Sequence, residues 1–229
     1  HCQCRRQRQM CIRDRPSTIM EVLSIAKDWP NCTIIADEIY DALDFSGDQR
    51  SVASLSDEVP VVTLNGVSKV HFAPGWRIGY MAFFDPKSTL QAPRDGAERI
   101  LRSRLCASTP AQYGYLAGLN HDRLWLKERL RTIERRVDLC MNRIEGIEGL
   151  SCNKPGGAFY LFPKIDNPSK YGSDKKFVLD LLHEEHVLVV HGSGFSPRYG
   201  SGHFRLVALA PEDLLNEAFD RIDRFVRSR

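Results

Sequence analysis

Short apolar runs alternate along the chain with longer stretches of helical periodicity. Residues 33–36, 59–64 and 77–84 are apolar runs that end at polar residues, which is typical of buried strands in a parallel sheet. A helix is predicted from residue 16, and a long helical region over 109–145, where glycine and proline are few. One apolar stripe is expected along this region, formed by Leu126, Leu130, Ile133, Val137, Cys140 and Ile144.

Beyond Gly146 the apolar runs are shorter, and glycines separate them. We predict strands over 158–162, 187–190 and 204–209, and a final helix that Pro211 opens. This change of pattern indicates an α/β chain in which a larger domain with a mostly parallel sheet is followed by a smaller α/β domain. The predicted domain ranges are 16–140 and 141–229.

Basic residues are concentrated at the start of the chain. The 229 residues have a formal net charge of +3, but residues 1–15 alone carry five arginines and one acid. The rest of the sequence is therefore slightly acidic, and no nucleic-acid partner is expected for it. Residues 1–15 have neither helix nor strand period, and we interpret them as a non-native or disordered leader. An RNA- or membrane-binding arm is the alternative.

The composition, 42% hydrophobic and 27% charged, excludes collagen-like, rod-like and wholly disordered proteins. No apolar run reaches the length of about 18 residues that a membrane helix needs, and the basic start does not resemble a secretory signal. No CxxC pair occurs, and His1, Cys2 and Cys4 are too closely spaced for a metal site, so no metal is expected. Four isolated cysteines are predicted to be buried free thiols, which favours a reducing, cytoplasmic compartment. They are Cys32, Cys106, Cys140 and Cys152.

Two stretches place polar residues directly after apolar runs, where open α/β sheets bind ligands. The first, 36–40, reads Ala-Asp-Glu-Ile-Tyr, and the second, 65–80, contains a lysine among small and apolar residues, with an arginine eight positions later. Taken alone, Lys69 is typical of a solvated loop and Asp37 of a helix N-cap. Their combination indicates a functional site.

Three ordered motifs carry a family resemblance: D-x-x-Y at 37–40, S-K at 68–69 and G-W-R-x-G-Y at 75–80. In this order they resemble the class I/II aminotransferases, which are pyridoxal-phosphate enzymes of fold type I. The resemblance covers roughly 16–229 and is particularly strong to archaeal-type alanine aminotransferases. Because family chains are much longer, it implies a C-terminal fragment that is inactive or nearly inactive alone. The longer matching strings are 68–77, 104–112, 155–163 and 191–195.

The resemblance assigns five residues to the coenzyme. Lys69 would hold the coenzyme aldehyde as a Schiff base and, once freed, act as the base at the substrate Cα. Asp37 would keep the pyridine nitrogen protonated, and Tyr40 would hydrogen-bond the ring oxygen. Ser68 and Arg77 would bind the phosphate. Core packing is the alternative role for Tyr40.

Arg205 matches the family arginine that clamps the substrate α-carboxylate. Because apolar residues flank it in a predicted strand, a structural ion pair is the alternative. The glycine-rich segment 192–194 is expected to be a flexible loop before this arginine, since no G-K-[ST] follows that would indicate a phosphate loop. His71 and His203 are expected to be bystanders.

The resemblance also implies an activity, which is transamination of L-alanine and 2-oxoglutarate to pyruvate and L-glutamate by a homodimer. Two alternatives remain open. Aromatic or other amino acids could be the substrates, or the chain could be the pyridoxal-phosphate-sensing domain of a transcription regulator. A regulator of that kind would carry a helix-turn-helix leader with apolar periodicity, which residues 1–15 do not have.

Overall fold

The computed structural model describes residues 16–121 and 124–229. The predicted leader over 1–15 lies outside the described residues. The described chain forms two compact units that divide after Lys127, whereas the sequence predicts a domain boundary after residue 140.

The first unit contains a three-stranded sheet with the order β1-β2-β3. β1 pairs with β2 in parallel, and β2 pairs with β3 antiparallel. Asp37 lies opposite Leu64, and Gly66 lies opposite Gly79, so both strand ends and the start of β3 meet at one edge. The elements of this unit are α1 (Pro16–Lys27), β1 (Ile34–Asp37), β2 (Val61–Gly66), β3 (Gly79–Phe84), α2 (Gln91–Ser103), α3 (Thr109–Asn120) and the start of α4 (Leu124–Glu145).

The helix predicted from residue 16 and the parallel pairing of the first two strands are confirmed. The prediction for the third strand is wrong in two respects, since β3 runs antiparallel and most of its residues are exposed. The composition of an apolar run indicates neither whether the strand pairs parallel or antiparallel nor whether other residues bury it. Ile35 of β1 is likewise 69% exposed, so only part of that strand is buried.

The core of the first unit forms around β2 and α1. Val61 and Val62 of β2 are buried because the central strand has neighbours on both edges. Leu23 and Ala26 of α1 pack with Val59, just before β2, as expected for the apolar stripe of an amphipathic helix.

The second unit combines short antiparallel ladders with three helices. One ladder has the order β4-β6 and the other β5-β8-β7. The strands predicted over 158–162 and 204–209 are present but shorter, as β5 and β8. The prediction over 187–190 is mostly wrong, since β7 comprises only Val190 and His191. The elements after α4 are β4 (Leu150–Ser151), β5 (Tyr160–Leu161), β6 (Lys164–Ile165), α5 (Asp174–Glu185), β7 (Val190–His191), β8 (Phe204–Val207) and α6 (Glu212–Arg227).

An aromatic cluster forms the centre of the second unit. The ring of Phe177 stacks on Phe204 at 5.4 Å and meets the ring of Phe225 edge-on at 5.3 Å. Offset and edge-on geometries of this kind are the favoured ones for aromatic pairs. The predicted stripe of the long helical region is confirmed, with Val137 and Ile144 of α4 fully buried, and the final helix is present as α6.

The cysteine prediction is confirmed for one residue and wrong for another. All four described cysteines are free, but only Cys140 is buried, whereas Cys106 is exposed in the segment between α2 and α3. Cys32 and Cys152 are half-buried. Within residues 16–121 and 124–229, no group of three His, Cys, Asp or Glu side chains is placed to hold a metal ion. None of the described helices is long and apolar enough to cross a membrane.

Candidate active site

One edge of the first sheet gathers five of the residues that the sequence singles out. Asp37 is the last residue of β1, and Tyr40 lies in the turn that follows. Ser68 and Lys69 lie in the turn after β2, and Arg77 comes just before β3. Because β1 and β2 are parallel and β3 starts opposite the end of β2, all five lie at the same edge. Ligand sites of open α/β sheets form at such carboxyl ends.

The turn that carries Lys69 is anchored by buried valines. Val67 and Val70 are 1% and 6% exposed, and the Ala73 N–H donates to the Val67 carbonyl at 3.2 Å. Lys69 Nζ lies 5.9 Å from the centroid of the Tyr40 ring, within the range of a cation–π contact. This contact brings the lysine amine next to the turn that follows β1.

The carboxylate of Asp37 is exposed at this edge. Its Oδ1 accepts a hydrogen bond from the Ile39 N–H at 3.3 Å, and residues 39–42 form turns. The alternative role of Asp37 as a helix N-cap is therefore wrong, because a turn rather than a helix follows the strand.

Glu38 is a supporting residue that the sequence patterns do not reveal. Its Oε1 accepts hydrogen bonds from the Ser51 hydroxyl at 3.1 Å and from the Val52 N–H at 2.8 Å. These bonds fasten the segment between Asp37 and Tyr40 to a loop more than ten residues away. No local pattern signals such a partner, since the bonded groups are a common hydroxyl and a backbone amide.

Arg77 is held in an unusual backbone conformation. Its φ of +54° is in the left-handed region, which costs a non-glycine residue about 1–2 kcal/mol. Its Nη1 donates to the Pro74 carbonyl at 2.7 Å, across the 3₁₀ turn Pro74–Trp76. The guanidinium is exposed at the strand edge, and its remaining donors are suited to an oxyanion.

Arg205 lies in the second unit, on β8, opposite Val190. Its guanidinium carbon is 4.8 Å from the centroid of the Tyr160 ring and 4.6 Å from that of Phe195. Arginine stacks well on aromatic faces, so the two rings restrict the plane of the guanidinium. The sequence motifs identify Arg205 but neither ring, because the approach of the rings depends on the pairing of β5 with β8 and on the turn after β7.

The segment 192–194, predicted as a flexible loop, is a 3₁₀ turn with several hydrogen bonds. The Ser193 N–H donates at 2.7 Å to Oδ2 of Asp174, which is only 4% exposed, and the Gly194 N–H donates to His191 Nδ1 at 3.1 Å. The turn leads directly into Phe195. Asp174 is thus a second supporting residue that sequence reasoning missed.

The two histidines predicted as bystanders both pack against aromatic rings. His203 stacks on Phe162 at 5.1 Å with the planes only 8° apart. His71 meets Tyr115 edge-on at 5.3 Å. The ring of Phe162 also lies 6.2 Å from Phe195, so His203 belongs to the aromatic surroundings of Arg205.

Comparison with known proteins gives matches over nearly the whole chain. The family model described as aminotransferase class I and II matches residues 15–222. Glutamate-pyruvate aminotransferase AlaA of Haemophilus influenzae is 37% identical over 213 residues, which are 91% of this chain and 52% of that protein. Aspartate aminotransferase of Bacillus subtilis is 39% identical over 208 residues, which are 84% of this chain and 49% of that protein.

A solved structure extends the similarity to the fold. Alanine aminotransferase from Pyrococcus furiosus superposes with a TM-score of 0.88 and 47% sequence identity, covering 93% of this chain and 53% of that one. The chain therefore spans about half the length of the relatives it matches. Its α/β architecture is that of fold type I, and the ordered motifs lie at one sheet edge in the structure. With the family model matched from residue 15 to residue 222, the chain belongs to the class I and II aminotransferases.

Proposed function

We propose that the protein is a pyridoxal-phosphate-dependent alanine aminotransferase, which exchanges the amino group between L-alanine and 2-oxoglutarate. The observation that carries this proposal is the Lys69 amine at 5.9 Å from the Tyr40 ring, at the sheet edge where Asp37 ends β1. The relatives named as glutamate-pyruvate and alanine aminotransferases support the choice of substrates.

The residues at the sheet edge fit pyridoxal phosphate by their chemistry. A primary amine can hold its aldehyde, a carboxylate can pair with its ring nitrogen, and a guanidinium can bind its phosphate. Lys69, Asp37 and Arg77 provide these three groups, with Ser68 as a further phosphate donor and Tyr40 as a donor to the ring oxygen. When bound, the coenzyme supplies an electron-accepting ring that stabilises negative charge at the substrate Cα.

The protein's own groups then account for the proton transfer and for orientation. The Lys69 amine, once free, takes the proton from the substrate Cα as a general base. Arg205 holds the substrate carboxylate through two parallel hydrogen bonds, and the rings of Tyr160 and Phe195 restrict the plane of its guanidinium. A carboxylate held in this way restricts the rotation of the substrate, which is an entropic contribution to the rate.

The identity of the amino acid needs a test of its own, because an aspartate aminotransferase is 39% identical to the chain. A hybrid enzyme separates the two possibilities. This chain is joined to the part of the Pyrococcus furiosus enzyme that it does not match, and rates with alanine, aspartate and tyrosine are compared. Faster turnover of aspartate or tyrosine than of alanine would contradict the alanine assignment.

We further propose that the whole enzyme is a cytoplasmic homodimer. Exposed apolar side chains on α3, among them Tyr113 and Leu116 at 71% and 54% exposure, support a protein contact on this helix. The free thiols of the described cysteines are compatible with a reducing compartment. Light scattering of the hybrid enzyme measures the oligomeric state.

Covalent trapping tests the role of Lys69 directly. The chain is incubated with pyridoxal phosphate, reduced with borohydride and digested, and the modified peptides are located by mass spectrometry. We expect selective labelling of Lys69 and its loss in Lys69→Arg. Lys87→Arg is the matched control, because Lys87 is a half-exposed lysine that pairs with Glu58 at 3.4 Å and lies outside the site. Labelling spread evenly over the lysines would contradict the proposed role.

A further inference from the structure

Helix α3 carries two glycines in its interior, at positions 114 and 118. A glycine inside a helix costs about 1 kcal/mol relative to alanine, because it has more backbone freedom to lose. The two glycines are four residues apart and therefore lie on the same face of the helix. A helix of 12 residues with two such positions needs a compensating contact.

Two rings from the segment between β2 and β3 occupy the space that side chains would fill. A Cβ placed on Gly114 would lie 2.7 Å from Cζ3 and 2.9 Å from Cη2 of Trp76. A Cβ placed on Gly118 would lie 3.2 Å from Cδ2 and 3.3 Å from Nε2 of His71. A Cβ closer than 3.0 Å to another heavy atom forces one of the two groups to move. Position 114 therefore tolerates a side chain less well than position 118.

Each of these rings adjoins a residue with a left-handed backbone. Phe72, with φ +53°, follows His71, and Arg77, with φ +54°, follows Trp76. Residues in this conformation persist only where the surroundings hold them. The ring centroid of His71 also lies 5.3 Å from that of Tyr115 and 5.9 Å from that of Trp125. The His71 ring is therefore in contact with Tyr115, Gly118 and Trp125 of the helical region.

We propose that Gly114 and Gly118 are positioning residues, which allow α3 to clamp the 67–77 segment and so fix Lys69 and Arg77 at the sheet edge. The expected effect on coenzyme binding rests on the proposed function, since Lys69 and Arg77 are the groups that would hold the coenzyme. The clamp consists of the rings of His71 and Trp76 seated on the two glycines. We expect its effect to be local, because the segment joins β2 and β3, which pair with each other over six residues.

The variant Gly114→Ala tests the clamp, with Gly96→Ala as the matched control. Both changes favour the helix, but a Cβ on Gly96 of α2 meets nothing within 4 Å, whereas one on Gly114 collides with Trp76. We expect amide exchange of Ala73 and Trp76 to be about tenfold faster in Gly114→Ala and unchanged in Gly96→Ala. Trapping of Lys69 by pyridoxal phosphate and borohydride should slow several-fold in Gly114→Ala only.

The same substitution in a Trp76→Ala variant shows whether the change in amide exchange depends on the Trp76 ring. In Trp76→Ala the collision is absent, so adding Gly114→Ala should not accelerate exchange further. Equal exchange in Gly114→Ala and the parent chain, or an increase that persists without the Trp76 ring, would overturn the inference. Absence of Lys69 labelling in the parent chain would instead contradict the proposed function, while the exchange comparison still decides whether the clamp exists.

Discussion

Two of the candidate residues, Lys69 and Arg205, contact aromatic rings that are distant in sequence. Lys69 meets Tyr40 across two strands, and the guanidinium of Arg205 lies against Tyr160 and Phe195. Such contacts restrict the orientation of long, flexible side chains before any ligand binds. Side-chain entropy is thereby lost on folding rather than on binding, which is the physical meaning of a preorganised site.

Glu38 permits a direct test of this support at the level of one residue. Its carboxylate accepts from the Val52 N–H and the Ser51 hydroxyl, so Glu38→Ala leaves a backbone donor without its acceptor. We expect a loss of about 1–3 kcal/mol in the free energy of unfolding, measured by urea titration. Ser51→Ala removes only the hydroxyl bond and should cost about 1 kcal/mol or less. Equal losses in the two variants would contradict the role given to the Val52 bond.

The thiols provide a second prediction at this scale. Burial raises the pKa of Cys140 to about 12, so its thiolate fraction at pH 8 is about one in 10⁴, whereas Cys106 is exposed. Iodoacetamide at pH 8 should therefore modify Cys106 rapidly and Cys140 only after unfolding. The labelled peptides are quantified by mass spectrometry, with and without urea. Cys106→Ser should remove the fast labelling of the peptide that contains position 106, and fast labelling of Cys140 would contradict its burial.

Among the helices, those with a buried stripe can be predicted from sequence more readily than one without such a stripe. The helix α4 can be predicted because its apolar residues repeat at helical spacing, and α6 because Pro211 marks its start. The helix α2 was not predicted, since none of its residues is buried and no stripe marks it. The direction of β3 is a property of pairing and has no counterpart in its own residues.

Only part of the candidate site can be predicted from the sequence. The motif residues were found because they are close in sequence or occur in a known order. Their supports, Glu38, Asp174 and the Tyr160 and Phe195 rings, were not found, because each acts through a contact between separate elements. Residue type alone does not distinguish such a support from an ordinary surface or core residue.

The start of α5 connects helix capping with the surroundings of Arg205. Ser173 caps the helix by accepting from the Lys176 N–H at 3.1 Å, while Asp174 accepts from the Ser193 N–H. Both changes to alanine should destabilise the chain, Ser173→Ala by about 1 kcal/mol and Asp174→Ala by about 1–3 kcal/mol. Only Asp174→Ala should accelerate amide exchange at Ser193, as measured by NMR.

The conservative variant Asp174→Asn completes that comparison. Its amide oxygen can still accept from Ser193, so exchange at Ser193 should stay close to that of the parent chain. Acceleration in Ser173→Ala to the same extent as in Asp174→Ala would mean that the turn depends on the helix as a whole. The specific role of the carboxylate oxygen would then be wrong.

Over the whole described molecule, burial is distributed unevenly between the two units. Of the twelve largest fully buried side chains, nine lie in the second unit and three in the first, which are Leu43, Val61 and Val67. Of the 21 exposed large hydrophobic side chains in the described ranges, 15 lie in the first unit. The second unit therefore gains more from its own core, since burial of apolar surface is the main favourable term in folding.

This difference predicts that residues 124–229 fold without the rest of the chain. The aromatic cluster around Phe177 and the buried stripes of α4 and α6 lie within this range. Urea should unfold the isolated piece in one cooperative transition with a slope of about 1–3 kcal/mol per molar, followed by circular dichroism. Residues 16–121 should instead bind the dye ANS, because their apolar side chains remain exposed. ANS binding by 124–229, without a cooperative transition, would mean that its core needs the first unit.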